Sequence, residues 1–206
     1  MAIAYDSSVV STAATWSHTC TGSNGILIVF AFSSALDPTA ISYNSVGLTK
    51  FGSLTTVYGT ISIWYLFSPP TGLSYTVSVT GFNTKSVLFS TSYNGVLQSG
   101  FPDSSNKLAN QVSPSAISTT VVASSCWLIG GANTDGGGTV SGSLTTRQSS
   151  SSYSIANYSC LIQDSNSTVG TNSQSITWTC TSNIDSYIIS LAPVPDIPGS
   201  FFFTIN

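Results

Sequence analysis

His18 is the residue best suited to acid–base chemistry, because it is the only histidine in the chain. A serine–histidine–aspartate triad would need it beside an activated serine, and the Gly-x-Ser-x-Gly turn that presents such a serine in many hydrolases does not occur here. His18 shares one face of an alternating segment with Trp16 and Cys20, which is typical of a hydrogen-bonded residue in a core or at a sheet edge. We therefore predict that the chain is not an enzyme.

The seven acidic residues are all aspartates, and they lie in or near predicted loops or chain ends. Capping turns is the usual role of aspartate there, so a carboxylate pair for glycoside cleavage is not expected. Residues 164–168, Asp-Ser-Asn-Ser-Thr, place oxygen ligands at alternate positions, like the start of a calcium loop. The glycine at position six and the later glutamate of such a loop are missing. We expect no metal and no other cofactor.

The four cysteines, Cys20, Cys126, Cys160 and Cys180, are widely spaced and include no Cys-x-x-Cys pair, so a zinc site is not expected. They could be four small buried side chains, or two of them could form a disulfide. Cys20 and Cys180 are the pair to test. Each lies in a Thr/Trp/Cys segment, residues 15–21 and 177–181, that precedes a short turn and an apolar strand.

The C-terminal residues have the chemistry of a binding arm. Residues 193–199, Pro-Val-Pro-Asp-Ile-Pro-Gly, predict a stiff extended spacer. The apolar residues Phe201, Phe202, Phe203 and Ile205 follow it. They could add a strand to the sheet edge of a neighbour, or fold back onto their own domain. We predict one domain over residues 1–192 and a spacer and arm over 193–206, with these four residues contacting the partner.

The elements that must position these residues are strands. Residues 25–32 form an apolar run behind turn-forming residues 21–24, which predicts a central strand buried on both faces. Residues 73–80 alternate between apolar and hydroxyl side chains, as in a strand with one buried face. Residues 97–114 are polar and predict a loop that crosses between two halves of the fold. The pattern predicts an all-β fold: a single antiparallel β-sandwich of jelly-roll type with an extended C-terminal arm.

The four tryptophans could form a platform on which sugar rings stack, but most lie in alternating strands, where packing in the core is favoured. Charged residues make up only 5% of the chain, with four basic residues. Nucleic-acid binding and polybasic membrane binding both need clustered Lys and Arg, so neither is expected. No apolar run approaches the roughly 20 residues that span a bilayer. The N-terminus has neither the basic region nor the apolar core of a secretion signal.

Several short motifs occur in the same order as in a β-sandwich domain that recurs in tailed-phage virion proteins and bacterial surface proteins. They cover about residues 5–193 and are Trp16-Ser17-His18-Thr19, Gly22-Ser23-Asn24, Tyr43-Asn44-Ser45-Val46 with Leu48-Thr49, Trp64-Tyr65-Leu66 with Pro70 and Gly72, Tyr93-Asn94-Gly95-Val96, and Trp178 with Ile189-Ser190-Leu191-Ala192-Pro193. The chain resembles that domain, which implies a structural or adhesive module without catalytic residues. The cysteines and the Phe-rich arm are not part of the resemblance.

The resemblance and the near-neutral composition lead to one functional expectation. We expect a structural virion protein of a phage-like particle: a capsid decoration, head-fibre or tail-surface subunit that acts by packing and adhesion. Its expected partners are copies of itself and a capsid or tail protein, with a host-surface glycan as a further candidate. It would assemble in the host cytoplasm and reside in the virion. The alternative is a carbohydrate-binding or adhesin module of a surface protein.

Overall fold

The computed structural model describes residues 1–34, 36–57, 59–134, 139–153 and 158–196. Within these residues it contains seventeen β-strands in antiparallel sheets and no helix, so no helical membrane span occurs there. The prediction of an all-β antiparallel sandwich fold is therefore confirmed.

In the first half of the chain, the described residues form nine strands in two sheets. The strands are β1 (Ala4–Ser11), β2 (Thr15–Thr19), β3 (Ile26–Ser33), β4 (Ala40–Tyr43), β5 (Val46–Gly47), β6 (Thr49–Thr56), β7 (Gly59–Phe67), β8 (Ser74–Thr80) and β9 (Ser86–Asn94). One sheet has the order β1-β9-β3-β7-β6, and we call it the first inner sheet. The other has the order β2-β8-β4-β5 and is the first outer sheet.

The described residues of the second half form eight strands. They are β10 (Ser104–Val112), β11 (Ser115–Thr120), β12 (Trp127–Thr134), β13 (Ser141–Gly142), β14 (Thr145–Tyr153), β15 (Tyr158–Asp164), β16 (Ser173–Thr179) and β17 (Asn183–Leu191). The second inner sheet has the order β10-β17-β12-β15-β14, and the second outer sheet β11-β16-β13. The prediction of a loop over residues 97–114 is wrong, because β10 occupies half of that stretch. Its side chains are mostly exposed, so it lacks the apolar alternation that marks a strand in a sequence.

The two halves have the same topology. Strands β10, β17, β12, β15 and β14 take the places of β1, β9, β3, β7 and β6, and the outer sheets correspond in the same way except for β5. In each half the first strand lies beside the last, and the strands divide between two sheets, as in a jelly roll. The similar segments 15–21 and 177–181 are not equivalent in this repeat, because β2 corresponds to β11 and β16 to β8.

The four sheets stack in the order outer, inner, inner, outer. One apolar cluster lies between the first outer and first inner sheets, another between the two inner sheets, and a third between the second inner and second outer sheets. All eight residues of β3 are buried, with Ile28 and Phe30 in the central cluster and Leu27 and Val29 in the first. The prediction of a strand covered on both faces is therefore confirmed.

A glycine allows the inner sheets to approach closely at their centre. A Cβ atom on Gly131 of β12 would lie 2.7 Å from a ring carbon of Phe30. Cβ atoms essentially never come that close to another carbon, so a larger residue here would require the Phe30 ring or the backbone to shift. The inner sheets therefore pack as one core, which both halves of the chain share.

The margins of this central interface differ in chemistry. On one side β1 faces β14, where Arg147 forms a bidentate ion pair with the fully buried Asp164, at 2.7 and 2.8 Å. The hydroxyl of Tyr93, in the first half, donates to the same carboxylate at 2.9 Å. Burial, followed by the Asp164 charge, raises the pKa of Tyr93 well above its ordinary value. The guanidinium of Arg147 also lies over the ring of Tyr5.

On the other side β6 faces β10, and aromatic rings replace the ion pair. Phe51 occupies a β-bulge in β6, at the place that corresponds to the bulge at Arg147 in β14. Its ring contacts Phe101 and Tyr187, with centroids 5.8 and 6.2 Å away. Tyr65 lies against Phe101 at 4.4 Å. One margin is thus joined by charge and the other by aromatic packing.

Replacing Arg147 by leucine should lower the free energy of unfolding by about 3–5 kcal/mol, because the buried Asp164 charge would lose its ion pair. Replacing Lys50 by leucine is the matched control, since its ion pair with Asp37 is partly exposed and such pairs contribute about 1 kcal/mol or less. Urea unfolding of both variants measures the difference. Equal losses would contradict a structural role for the buried ion pair at the margin of the interface.

Candidate functional site

His18 forms a buried hydrogen-bonded cluster with three serines. Its side chain is 1% exposed. Its Nε2 atom lies 3.1 Å from the Oγ atoms of Ser7 and Ser92, and its Nδ1 atom 3.0 Å from Oγ of Ser90. Ser92 donates to the Asp6 carboxylate at 2.8 Å. The aspartate therefore contacts a serine rather than the imidazole, unlike the aspartate that orients the histidine of a catalytic triad.

The environment of His18 keeps its ring neutral at pH 7. Burial lowers the pKa of His18 to about 4, and the Asp6 charge offsets only part of that shift. The ring joins serines of β1 and β9 to β2, so it cross-links the two sheets of the first half. The prediction of a hydrogen-bonded core histidine is confirmed.

Asp6 holds the start of the first half together. Its carboxylate accepts hydrogen bonds from the backbone N–H and the hydroxyl of Thr21, which follows β2, as well as from Ser92 of β9. A charged acceptor makes such hydrogen bonds stronger than neutral ones. This aspartate thus ties the first, second and last strands of the first half to one another.

Asp103 joins the equivalent elements of the second half. The sequence patterns alone did not indicate this correspondence. It accepts from the N–H groups of Val122 and the next residue, at 2.9 and 3.0 Å, just after β11. Ser190 of β17 donates to it at 3.1 Å. The signal that could have revealed the repeat is the tripeptide Asp-Ser-Ser, which occurs at residues 6–8 and again at 103–105.

All four cysteines are free thiols. Cys20 packs in the apolar cluster under the first outer sheet, whereas Cys180 packs in the cluster under the second outer sheet. The two inner sheets lie between them, so the suggested Cys20–Cys180 disulfide is wrong. Burial raises the pKa of Cys20 to about 11 and that of Cys126 to about 12. Both are therefore thiols rather than thiolates at neutral pH.

The segment that resembles the start of a calcium loop is occupied by internal contacts. Asp164 binds Arg147, and the same guanidinium donates to Oδ1 of Asn166 at 2.7 Å. A bound cation would lie beside a positive charge there. Among the described residues no group of three or more His, Cys, Asp or Glu side chains is placed to hold a metal ion.

The tryptophans pack in the cores rather than forming a sugar-stacking platform. Trp64, Trp127 and Trp178 are buried. Trp16 is partly buried, and its Nε1 donates to Ser90 at 2.9 Å. The favoured interpretation of these residues, packing in the core, is confirmed.

A polar groove of about 400 Å³ lies beside the second outer sheet, between β10 and β11. The residues that line it are polar and uncharged: Ser104, Ser105, Asn106, Ser118, Thr119, Thr120 and Ser173. Sequence reading did not identify this groove, because its residues come from three strands and form no motif.

The predicted arm residues Phe201, Phe202, Phe203 and Ile205 lie outside the described residues. The backbone N–H of Val194 donates to the carbonyl of Gly95 at 2.9 Å, and the N-terminal ammonium group of Met1 contacts both Val194 and Asp196. Residues 193–196 therefore lie against the turn that follows β9.

Comparison with known proteins adds no identity to this geometry. No protein-family model, curated protein or solved structure matches the chain significantly. Arguments about function therefore rest on the residues and contacts described above.

The His18 cluster predicts a pH dependence of stability. The folded protein holds His18 with a pKa near 4, whereas in the unfolded chain it is near 6.5. Because the unfolded state binds the proton more readily, stability should fall as the pH drops from about 6.5 to 4, by about 3 kcal/mol from this residue.

Urea unfolding of the wild type and of His18→Gln between pH 4 and 7 isolates this contribution, since the aspartates titrate in both proteins. The difference between the two curves should follow the histidine. A difference that stays constant over this range would contradict a buried neutral His18.

Free thiols predict a simple labelling result. Unfolding the protein in guanidinium chloride without reductant and adding iodoacetamide should modify four cysteines, as counted by intact mass. In the native protein, Cys20, Cys126 and Cys160 should react slowly, because burial disfavours the reactive thiolate. Two modifications instead of four after unfolding would show a disulfide.

Proposed function

We propose that this chain is a structural subunit of a phage-like particle, a capsid decoration, head-fibre or tail-surface protein that acts by packing and adhesion. The observation that carries the proposal is the character of the two outer sheets. Their outward faces consist of uncharged side chains, mostly hydroxyl-bearing, on opposite sides of a rigid four-layer stack. Such surfaces suit a particle subunit, because they can lie against neighbouring surfaces without charge repulsion.

The first outer face carries serines and threonines at cross-strand pair positions. Thr15 pairs with Ser78 and Ser17 pairs with Thr76. On the second outer face, Ser118 pairs with Ser175, and Thr120 with Ser173. These side chains alternate with buried residues along each strand.

The described aspartates form hydrogen bonds within the chain and do not lie on these outward faces. Each aspartate within the described residues accepts a hydrogen bond from its own chain: Asp6, Asp37, Asp103, Asp164, Asp185 and Asp196. Ionised groups thus hold loops, chain ends and the junction of the halves. This distribution supports a module that binds by surface contact rather than one that transforms a substrate.

A carbohydrate-binding module is the second candidate. The polar groove beside the second outer sheet favours it, because a neutral sugar matches a lining of hydroxyl groups. Both candidates share an adhesive role, and they differ in whether the principal partner is a particle protein or a glycan.

Deleting residues 197–206 tests the particle role. If Phe201, Phe202, Phe203 and Ile205 anchor the subunit, the truncated chain should lose co-sedimentation with particles from the native source while keeping the wild-type unfolding curve. Replacing the three phenylalanines by serine should act likewise, and Ser200→Ala is the control. A wild-type chain found only outside sedimenting particles would refute the virion role. A truncated chain that still sediments would refute the anchoring role of the arm alone.

A further inference from the structure

The groove beside the second outer sheet has the size of a ligand site. The groove is shallow and open to solvent, and its volume of about 400 Å³ falls within the roughly 300–1,000 Å³ that is usual for small-molecule sites. Strand β10 forms one wall with Ser104, Ser105 and Asn106, while β11 and the start of β16 form the other. The walls belong to strands rather than to loops, so the groove is preformed.

Most hydroxyl groups of the groove form no hydrogen bond with the described residues of the chain. Thr119 is only 6% exposed, yet its hydroxyl has no hydrogen-bond partner among the residues that the structure describes. The same holds for the side chains of Ser105, Ser118, Thr120 and Ser173. Asn106, in contrast, donates from Nδ2 to the carbonyl of Ser118 at 2.8 Å and helps to fix the two walls. The hydroxyl groups without an internal partner can therefore donate to and accept from a ligand in the groove.

Comparison of the two halves explains why the groove exists. Thr119 is the penultimate residue of β11, and His18 is the penultimate residue of the equivalent strand β2. In the first half the imidazole fills the space between β1 and β2 and bonds to Ser7 and Ser92. In the second half the smaller threonine leaves that space open. The repeat thus contains one filled and one open version of the same site.

The lining restricts the class of ligand. Among the described residues no ionised side chain lines the groove, so a charged ligand would lose hydration without compensation. The part of the lining that the structure describes contains no apolar residue either, which disfavours lipids and aromatic compounds. Each hydroxyl can donate one hydrogen bond and accept others, which is the pattern that sugar hydroxyls complement.

We propose that this groove binds a neutral saccharide. The contacts are hydroxyl–hydroxyl hydrogen bonds from Thr119 at the base and from serines and Thr120 along the walls. The proposal extends the adhesive role described above by giving it a glycan site. Its test is separate, because sugar binding is measured on the isolated chain and particle association on the native source.

The test begins with the full chain on an array of neutral and anionic glycans, followed by NMR titration with the neutral oligosaccharide that binds best. Ser118→Tyr places a ring in the groove at an exposed strand position. Ser17→Tyr is the matched control, at the equivalent exposed position of the first half. Thr119→Val removes the hydroxyl with almost no change in shape.

Binding should be at least tenfold weaker in Ser118→Tyr and several-fold weaker in Thr119→Val, and unchanged in Ser17→Tyr. Chemical-shift changes should map to residues 104–106 and 118–120. The proposal is overturned if no neutral glycan binds at millimolar concentration, if only anionic glycans bind, or if both tyrosine variants bind as the wild type does. Loss of particle association with intact sugar binding would refute the virion role alone.

Discussion

The constraint on which the structure depends is that both inner sheets are apolar on both faces. An inner sheet such as β1-β9-β3-β7-β6 cannot end at solvent, since Phe30 and Phe89 project from one face and Leu27 and Leu88 from the other. Each half covers one face with its own outer sheet. The remaining face is covered only by the other half, so the two jelly rolls bury the central cluster together. Removing either half would expose a large apolar surface to water.

The two halves share the same framework of strands and aspartate hydrogen bonds, but they differ at the edges of the inner sheets. The carboxylates of Asp6 and Asp103 accept hydrogen bonds from equivalent elements in the two halves. The bulges at Phe51 and Arg147 occupy equivalent places but carry aromatic packing in one case and an ion pair in the other. The site of His18 is filled, and the site of Thr119 is open. The shared features form the common framework, and the open groove, which is the candidate for recognition, lies where the halves differ.

Much of the fold could be predicted from local patterns. Residues 25–32 announce a doubly buried strand because no polar side chain interrupts them, and β8 shows its single buried face through strict alternation. Strand β10 was missed, because an exposed edge strand with Lys107 and Asn110 carries no apolar signal. The stacking of two jelly rolls was missed too. The residue pattern of a strand does not indicate which sheet packs against it. The similar Thr/Trp/Cys segments lie on strands that are not equivalent in the repeat. The groove depends on contacts across three strands, so no sequence motif marks it.

The central claim is that the two halves share one core and fold as one unit. Differential scanning calorimetry tests it most directly. A shared core predicts a single transition whose calorimetric enthalpy equals its van't Hoff enthalpy, because neither half is stable without the other. Two separate transitions, or a calorimetric enthalpy about twice the van't Hoff value, would show that the halves unfold independently and would contradict the account.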